Sequence, residues 1–234
     1  MQNLSGAELG DSMLEYKDHF YRFLASFAVR SAEQIVPLLR ALLPINSVVD
    51  FGCGHGAWLS VWRKAGAAVM GVDRPYVDQR HLMIDADEFR TANLSQPIDL
   101  GRRFDLVQSL EVAEHLPGSR ASDSIRTLTA HGPLFMFSAA VPGQGVECHI
   151  NEQPLEYWRE KFCDHGYIAI DCVRIEVVQN PGIQYWYRYN TVLYAERRHL
   201  EKMPDRVHAL QVRENQSLRD FWPLPQRIRH AVIR

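Results

Sequence analysis

Net charge is nearly absent from this sequence: in 234 residues, 26 Lys and Arg stand against 28 Asp and Glu, a formal balance of −2 at pH 7. Without a cationic excess, binding to a polyanion through bulk electrostatics is disfavoured, which argues against a nucleic-acid partner. Cysteine is scarce too. Cys53, Cys148, Cys163 and Cys172 form no C-x-x-C pair and no zinc-like spacing, so the thiols are expected to be reduced, as in a cytoplasmic protein. No apolar run approaches the ~20 residues that span a bilayer. The opening MQNLSGAELGDSMLEY has neither the basic nor the apolar part of a signal peptide, so no membrane partner is expected. Internal repeats and low-complexity tracts are also missing. What is present is 46% hydrophobic, enough for one sizeable core with terminal additions, and a monomer or homodimer is expected.

The first forty-odd residues read as helical. Leu14, Phe20, Phe23, Leu24 and Phe27 follow a rough period of three to four, and Tyr16, His19, Phe20 and Tyr21 are candidates for a lid helix. Ser31 and Gln34 suggest a capping box for a second helix, which Pro37 would kink. Strands and helices then alternate. SVVDF (47–51) and AVMGVD (68–73) read as strands, with AWLSVWRKA (57–65) between them as a helix stopped by Gly66. A weak strand is expected at HLMID (81–85), and stronger ones at FDLVQSL (104–110) and PLFMFSA (133–139). PLEYWREKFCDHG (154–166) reads as a helix ended by Gly166. YIAIDCVRIEVV (167–178) and IQYWYRYNTVLYAE (183–196) read as β-rich. In the latter, alternation would put Tyr185, Tyr187 and Tyr189 on one strand face and Trp186, Arg188 and Asn190 on the other. This order implies an α/β fold with an antiparallel edge. From about residue 198 the chain turns Arg-rich, suggesting a domain over 1–197 and a helical extension or arm over 198–234 that packs outside it.

The strongest local signal is VVDFGCGHGAW. An apolar strand ends at Asp50, Gly52, Gly54 and Gly56 make a tight turn, and a helix follows. Glycines there permit positive φ and let a ligand lie against bare backbone beside a helix N-terminus. The spacing is G-x-G-x-G, not the G-x-G-x-x-G that seats a dinucleotide. Asp73 ends the next strand, where a carboxylate could accept both hydroxyls of a ribose. The order suggests a nucleoside-ligand site, and a purely structural turn is the alternative. Together, Asp50 to Gly56, Asp73 and FDLVQSLEVAEHL resemble the class I S-adenosylmethionine-dependent methyltransferases, over roughly residues 30–196. The resemblance implies a Rossmann-like three-layer sandwich on a seven-stranded, mostly parallel sheet with one antiparallel edge strand, and S-adenosyl-L-methionine as cofactor. It implies that Asp50, Gly52, Cys53, Gly54 and Gly56 hold the methionine end and Asp73 the ribose, with Arg74 and Ser109 beside them. The adenine would fall to Asn93-Leu94, where the family usually has Asp-Leu, with Asp87 as a rival. His55 reads as a tolerated variable position.

A second cluster sits in SLEVAEHLP (109–117). Glu111, Glu114 and His115 are three and four apart, which predicts one shared face of a helical turn. Two carboxylates and an imidazole facing one way suit metal ligation or acid/base chemistry. The E-x-x-E-H order is similar to that of the small-RNA 3′-terminal 2′-O-methyltransferases and the ubiquinone-pathway O-methyltransferases, both of which use a divalent metal. In the RNA branch a further histidine follows the fifth strand, and His149 stands in the corresponding place. The resemblance therefore implies Mg²⁺ or Mn²⁺ held by Glu111, Glu114, His115 and His149. Such an ion can lower a hydroxyl's pKa and fix it in line with a methyl donor. Two alternatives stay open: His115 or His149 as a metal-free general base, or an acidic first turn favoured by the helix dipole alone.

SAAVPGQGVECHINEQPLEYW would form a polar loop over the pocket. Asn151, Glu152 and Gln153 could read substrate hydroxyls and Tyr157 and Trp158 could stack on a ring, or Asn151 could cap the next helix and Trp158 lie in the core. The stretch resembles a bacterial methyltransferase subgroup suspected in glycan or secondary-metabolite tailoring. The expected activity is O-methylation of a small-molecule or sugar hydroxyl. The alternatives are metal-free N-methylation of a heterocycle or amine, RNA 3′-end methylation, and a non-catalytic binding subunit.

Overall fold

The computed structural model describes residues 25–145, 149–213 and 216–218. The candidate lid residues Tyr16, His19, Phe20 and Tyr21 and most of 198–234's distal half lie outside that range, as does Cys148. A seven-stranded sheet organises the chain: β1 Ser47–Phe51, β2 Ala68–Asp73, β3 Phe89–Thr91, β4 Leu106–Leu110, β5 Leu134–Ser138, β6 Tyr167–Ile170 and β7 Val192–Glu196, in the order β3-β2-β1-β4-β5-β7-β6. β7 runs antiparallel to both β5 and β6, and the other pairings are parallel. The reversed strand is thus one place in from the edge, and β6 is the edge strand. Strand order changes direction between β1 and β4, which opens a crevice at their carboxyl ends, where open α/β sheets bind ligands.

The central strands LVQSL and LFMFS are buried at every residue because helices cover both faces. A helix over 25–42 (α1) and α2 Ala57–Lys64 pack on one face, where Ile35, Leu39, Leu59 and Trp62 meet Leu106, Met136 and Leu193. On the other, α3 Ala121–Thr129 and α4 Leu155–Asp164 bring Ile125, Trp158 and Phe162 against Val107, Phe135, Phe137 and Tyr194. The alternation of Leu106 with Val107 and of Phe135 with Met136 between the two cores follows the two-residue strand period. No helix among the described residues is long and apolar enough to cross a membrane.

The structure corrects several expectations. Ser31 opens no second helix: α1 runs through it and through Pro37, and the Ser31 hydroxyl donates to Phe27 O at 2.9 Å. HLMID is not a strand; a 3-10 turn ends at His81, and the third strand is Phe89–Thr91. The stretch 167–178 is strand only to Ile170 and then turns into α5 Arg174–Val177. Similarly, Tyr185–Asn190 forms the helix α6 and only Val192–Glu196 is strand, so the alternating aromatic face does not exist. Beyond residue 197, α7 Arg197–Leu200 and α8 Asp205–His208 bury Leu200, Met203 and Val207 in the core shared with α1 and α2, so this part does not pack outside the fold.

Candidate active site

The glycine turn leaves β1 at the switch point. Gly52, Gly54 and Gly56 all have positive φ, at 87°, 54° and 80°. A Cβ on Gly52 would stand 2.4 Å from Val112 Cγ2, so this glycine lets the loop press against the chain after β4. Nothing lies within 4 Å of a Cβ on Gly54, whose requirement is its φ alone. The Gly54 amide donates to Asp73 Oδ2 at 2.7 Å, and Arg74 N donates to Oδ1 at 2.6 Å. Burial raises the Asp73 pKa, and these two amides work against the rise. Each Asp73 oxygen keeps a further lone pair for a donor. Cys53 is buried under the loop, its thiol 3.4 Å from Gly54 O.

Asp50 is buried at the end of β1. Gln108 Nε2 donates to its Oδ2 at 2.8 Å, and Trp62 Nε1 in turn donates to Gln108 Oε1 at 3.1 Å. Asp50 Oδ1 has no partner. Desolvation pushes the Asp50 carboxyl up to about 8; Gln108 opposes this and Asp73 adds to it. A buried carboxyl with a spare oxygen is primed for a cationic group.

On the far side of Asp73, Asn93 follows β3, and Ala92 N donates to Asp73 O at 2.8 Å. Asp87 precedes β3, at the amino end of the sheet, so the topology separates it from the crevice and leaves Asn93 as the residue beside Asp73. Asn93 Oδ1 accepts from Ser95 N at 3.0 Å, shaping that turn. Leu94 lines an apolar cavity with Phe51, Ser109, Val112 and Leu116. Ser109 is committed to the sheet, donating to Phe51 O at 2.9 Å.

The E-x-x-E-H segment is not a helical turn with one face. Glu111 takes a left-handed φ of 56°, unlike every other non-glycine residue described, and its amide donates to Ser138 O at 2.9 Å. A 3-10 turn then spans Ala113–His115. Glu114, His115 and His149 can each bring one donor atom within 4.8 Å of the others, and Glu111 is not in that group. Glu114 is fully buried, and neither of its oxygens has a hydrogen-bond partner. Burial, then the neighbouring Glu111, raises its pKa; the amides of Glu114 and Ala140 relieve part of the cost without reaching hydrogen-bond geometry. His149 Nδ1 lies 2.9 Å from Glu152 Oε1, while its Nε2 stands 4.0 Å from Glu114 Oε1. The chain around His149 is docked by its backbone: Ile150 N and Asn151 N both donate to Glu114 O, at 2.9 and 3.0 Å.

Glu152 is engaged within the loop itself. Its carboxylate accepts from Gly143 N at 2.9 Å and Gly145 N at 2.8 Å besides its contact with His149. Burial alone would raise the Glu152 pKa, but His149 and the two amides outweigh it and the net shift is downward. Asn151 does not cap α4, which begins after Pro154 without a side-chain cap, and Trp158 belongs to the core. Sequence reasoning missed Gln108, and it gave Gln144 and Asn190 no role in the site. Gln144 Nε2 donates to Glu111 Oε2 at 2.7 Å, and Asn190 Nδ2 donates to Gln144 Oε1 at 2.9 Å.

A mostly parallel sheet with a glycine cradle and an acidic strand end at its switch point defines a Rossmann-like protein built for a nucleoside ligand. The methyltransferase-domain family matches residues 17–174, more than half the chain, and the chain belongs to that family, within the class I S-adenosylmethionine-dependent methyltransferases. It is 31% identical over 103 residues to the ubiquinone biosynthesis O-methyltransferase of Rhodopseudomonas palustris, a stretch covering 40% of this chain and 39% of that protein. To the protein of that name from Methylobacterium nodulans it is 28% identical over 169 residues, 62% of this chain and 67% of the relative. In fold it is similar to the sugar N-methyltransferase KedS8 from Streptoalloteichus, with a TM-score of 0.61 and 16% identity over 77% of this chain and 92% of that one.

Proposed function

We propose that this chain transfers the methyl group of S-adenosylmethionine to a hydroxyl of a small molecule or sugar, assisted by a divalent ion. The observation that carries the reading is Glu114: a buried carboxylate with two unpartnered oxygens, grouped with His115 and His149. Leaving such a group ionised and unpaired costs several kcal/mol; a proton relieves that cost in the ion-free protein, and a bound cation would relieve it in the proton's place. The donor set suits the ion. One carboxylate and two imidazoles are mixed O/N ligands, and Glu152 on His149 Nδ1 is the outer carboxylate that turns Nε2 toward a metal. When bound, the ion supplies Lewis acidity that favours the alkoxide form of the acceptor.

The chain's own groups do the rest. Asp50 Oδ1 takes the ammonium of the methionine end, the glycines let that end lie on bare backbone, and the spare lone pairs of Asp73 take the ribose hydroxyls. Asn93-Leu94 borders the adenine. The acceptor oxygen forms its bond to the methyl carbon as the carbon–sulfur bond breaks, and sulfur leaves as the neutral thioether S-adenosylhomocysteine. Glu111 Oε1, buried and without a partner in hydrogen-bond geometry, accepts the hydroxyl proton; burial raises its affinity for it, and Gln144, Ser138 and Asn190 oppose part of that rise. The named activity of the ubiquinone biosynthesis relatives, O-methylation, agrees with this reading.

A second reading rests on the 2.9 Å contact between His149 and Glu152, which equally suits a metal-free histidine base. Chelation separates the two. Under the metal reading, stripping the protein of metal abolishes turnover, leaves S-adenosylhomocysteine binding intact, and added Mg²⁺ or Mn²⁺ restores activity. Full turnover in the stripped protein sinks the metal reading. Under the base reading, chelators do nothing and His149→Ala is inactive.

A further inference from the structure

The E-x-x-E-H motif divides in space. Glu114 and His115 group with His149, whereas Glu111 lies outside that group. Two features hold Glu111 apart. Its backbone sits at φ 56° with the amide anchored on Ser138 O, a conformation that costs a non-glycine residue about 1 kcal/mol or more. Its carboxylate is tied by Gln144, which is tied by Asn190; Asn190 and Ser138 also act on the carboxylate directly, and both amide side chains are buried.

When Glu111 is ionised, the polarity of this chain of bonds is fixed. An ionised carboxylate only accepts, so Gln144 must present its NH₂ to Glu111 and its oxygen to Asn190, which must then donate. Asn190 closes α6, and that helix end is held from behind. Arg174 Nη1 donates to Tyr189 O at 3.2 Å, and Arg174 is itself fixed by two hydrogen bonds to Asp171, at 2.9 and 2.7 Å. Gln144 sits between Gly143 and Gly145, whose amides are both held by Glu152. Both ends of the amide pair are therefore anchored on elements other than Glu111's own.

We propose that Gln144 and Asn190 are positioning residues that hold the Glu111 carboxylate out of the Glu114, His115 and His149 ligand set. The inference rests on the metal reading of the site and departs from the four-ligand expectation. It carries an unusual sign. Glu111 is near enough to Glu114 to raise its pKa, so releasing it would let an extra carboxylate approach the ion, and affinity rises with the charge of the ligand set. A merely structural role for Gln144 would only weaken metal binding.

The test is calorimetric titration of the full-length protein with Mn²⁺, using S-adenosylhomocysteine binding to certify the fold of each variant. Glu111→Gln should bind Mn²⁺ within about threefold of wild type, and Glu114→Gln should lose about 100-fold or more, the scale of a lost ligand or its partner. Gln144→Ala should bind Mn²⁺ about tenfold more tightly, and the double variant Gln144→Ala/Glu111→Gln should lose that gain. Asn190→Ser supplies an independent release of Gln144 should Gln144→Ala not fold. Equal losses in Glu111→Gln and Glu114→Gln, or weaker binding in Gln144→Ala and Asn190→Ser, would overturn the inference while leaving the metal reading intact. Absence of Mn²⁺ binding in the wild-type protein would instead overturn the metal reading, and the inference with it.

Discussion

Asp73 and Gly54 are joined across the cofactor crevice: the carboxylate that ends β2 accepts the amide of the middle glycine at 2.7 Å. One side chain thereby shapes the loop and, in the proposed function, receives the ribose. Asp73→Ala should weaken S-adenosylhomocysteine binding by about 1.5–3 kcal/mol, the scale of hydrogen bonds to a charged group. Calorimetry reads this directly. Unchanged affinity, or a wild-type preference for a dinucleotide, would refute the assignment.

Gly52 should tolerate no side chain. Alanine there meets Val112 Cγ2 at 2.4 Å and must keep a φ of 87°. The clash and the left-handed backbone together should cost about 2–4 kcal/mol in urea unfolding. Adding Val112→Ala should return only the steric part. Full recovery in the double variant would show that backbone conformation contributes nothing.

Asp50 gives the ligand-free protein a distinctive pH response. Its folded pKa, about 8, lies above the ordinary 3.8, so between these values the folded state holds a proton that the unfolded state has lost. Stability from this group is complete below about pH 4 and falls as pH rises toward 8, by about 1.4 kcal/mol per unit. Asp50→Asn keeps an acceptor for Gln108 and should remove that slope while also weakening cofactor binding. Parallel stability curves for wild type and variant from pH 5 to 7 would contradict the burial argument.

Truncation after residue 197 should unfold the protein. Leu200, Met203 and Val207 are buried, and each such side chain contributes about 1.5–3 kcal/mol. The loss is comparable with the whole stability of a typical domain. A folded 1–197 fragment by circular dichroism, with cofactor binding intact, would show that these helices merely decorate the core.

Much of the fold was legible where local chemistry and tertiary role agree. β1, the glycine turn, α2 and β2 follow from an apolar run, three glycines and Gly66, and Asp50 and Asp73 fall at the strand ends that spacing predicts. Failures fell where aromatic or β-branched residues serve packing rather than strands. Tyr185–Asn190 looks β-rich, yet Tyr187 is helical and sets its ring edge-on to Trp58 at 5.1 Å. Strand preference largely records a fit to a half-buried surface, which a short helix can also supply. Residues 171–178 misled because the helical spacing of Asp171 and Arg174 encodes a buried ion pair that periodicity of apolar residues does not reveal. In the site, the members of E-x-x-E-H were visible, but their separation was not. Gln144 and Asn190 are 46 residues apart, and nothing local marks an amide as the partner of a distant carboxylate.

The reversal of β7 leaves β6 on the rim of the sheet, and the chain returns to cover it. Ile170 bridges Gln211, Val212 N donates to Ala169 O at 2.9 Å, and Asp171 N donates to Leu210 O at 3.0 Å. The opposite rim, β3, is only three residues long. A neighbouring molecule therefore finds one margin already occupied and the other too short to template a strand, so the molecule is guarded against rim-to-rim stacking at the concentrations where open sheets begin to aggregate.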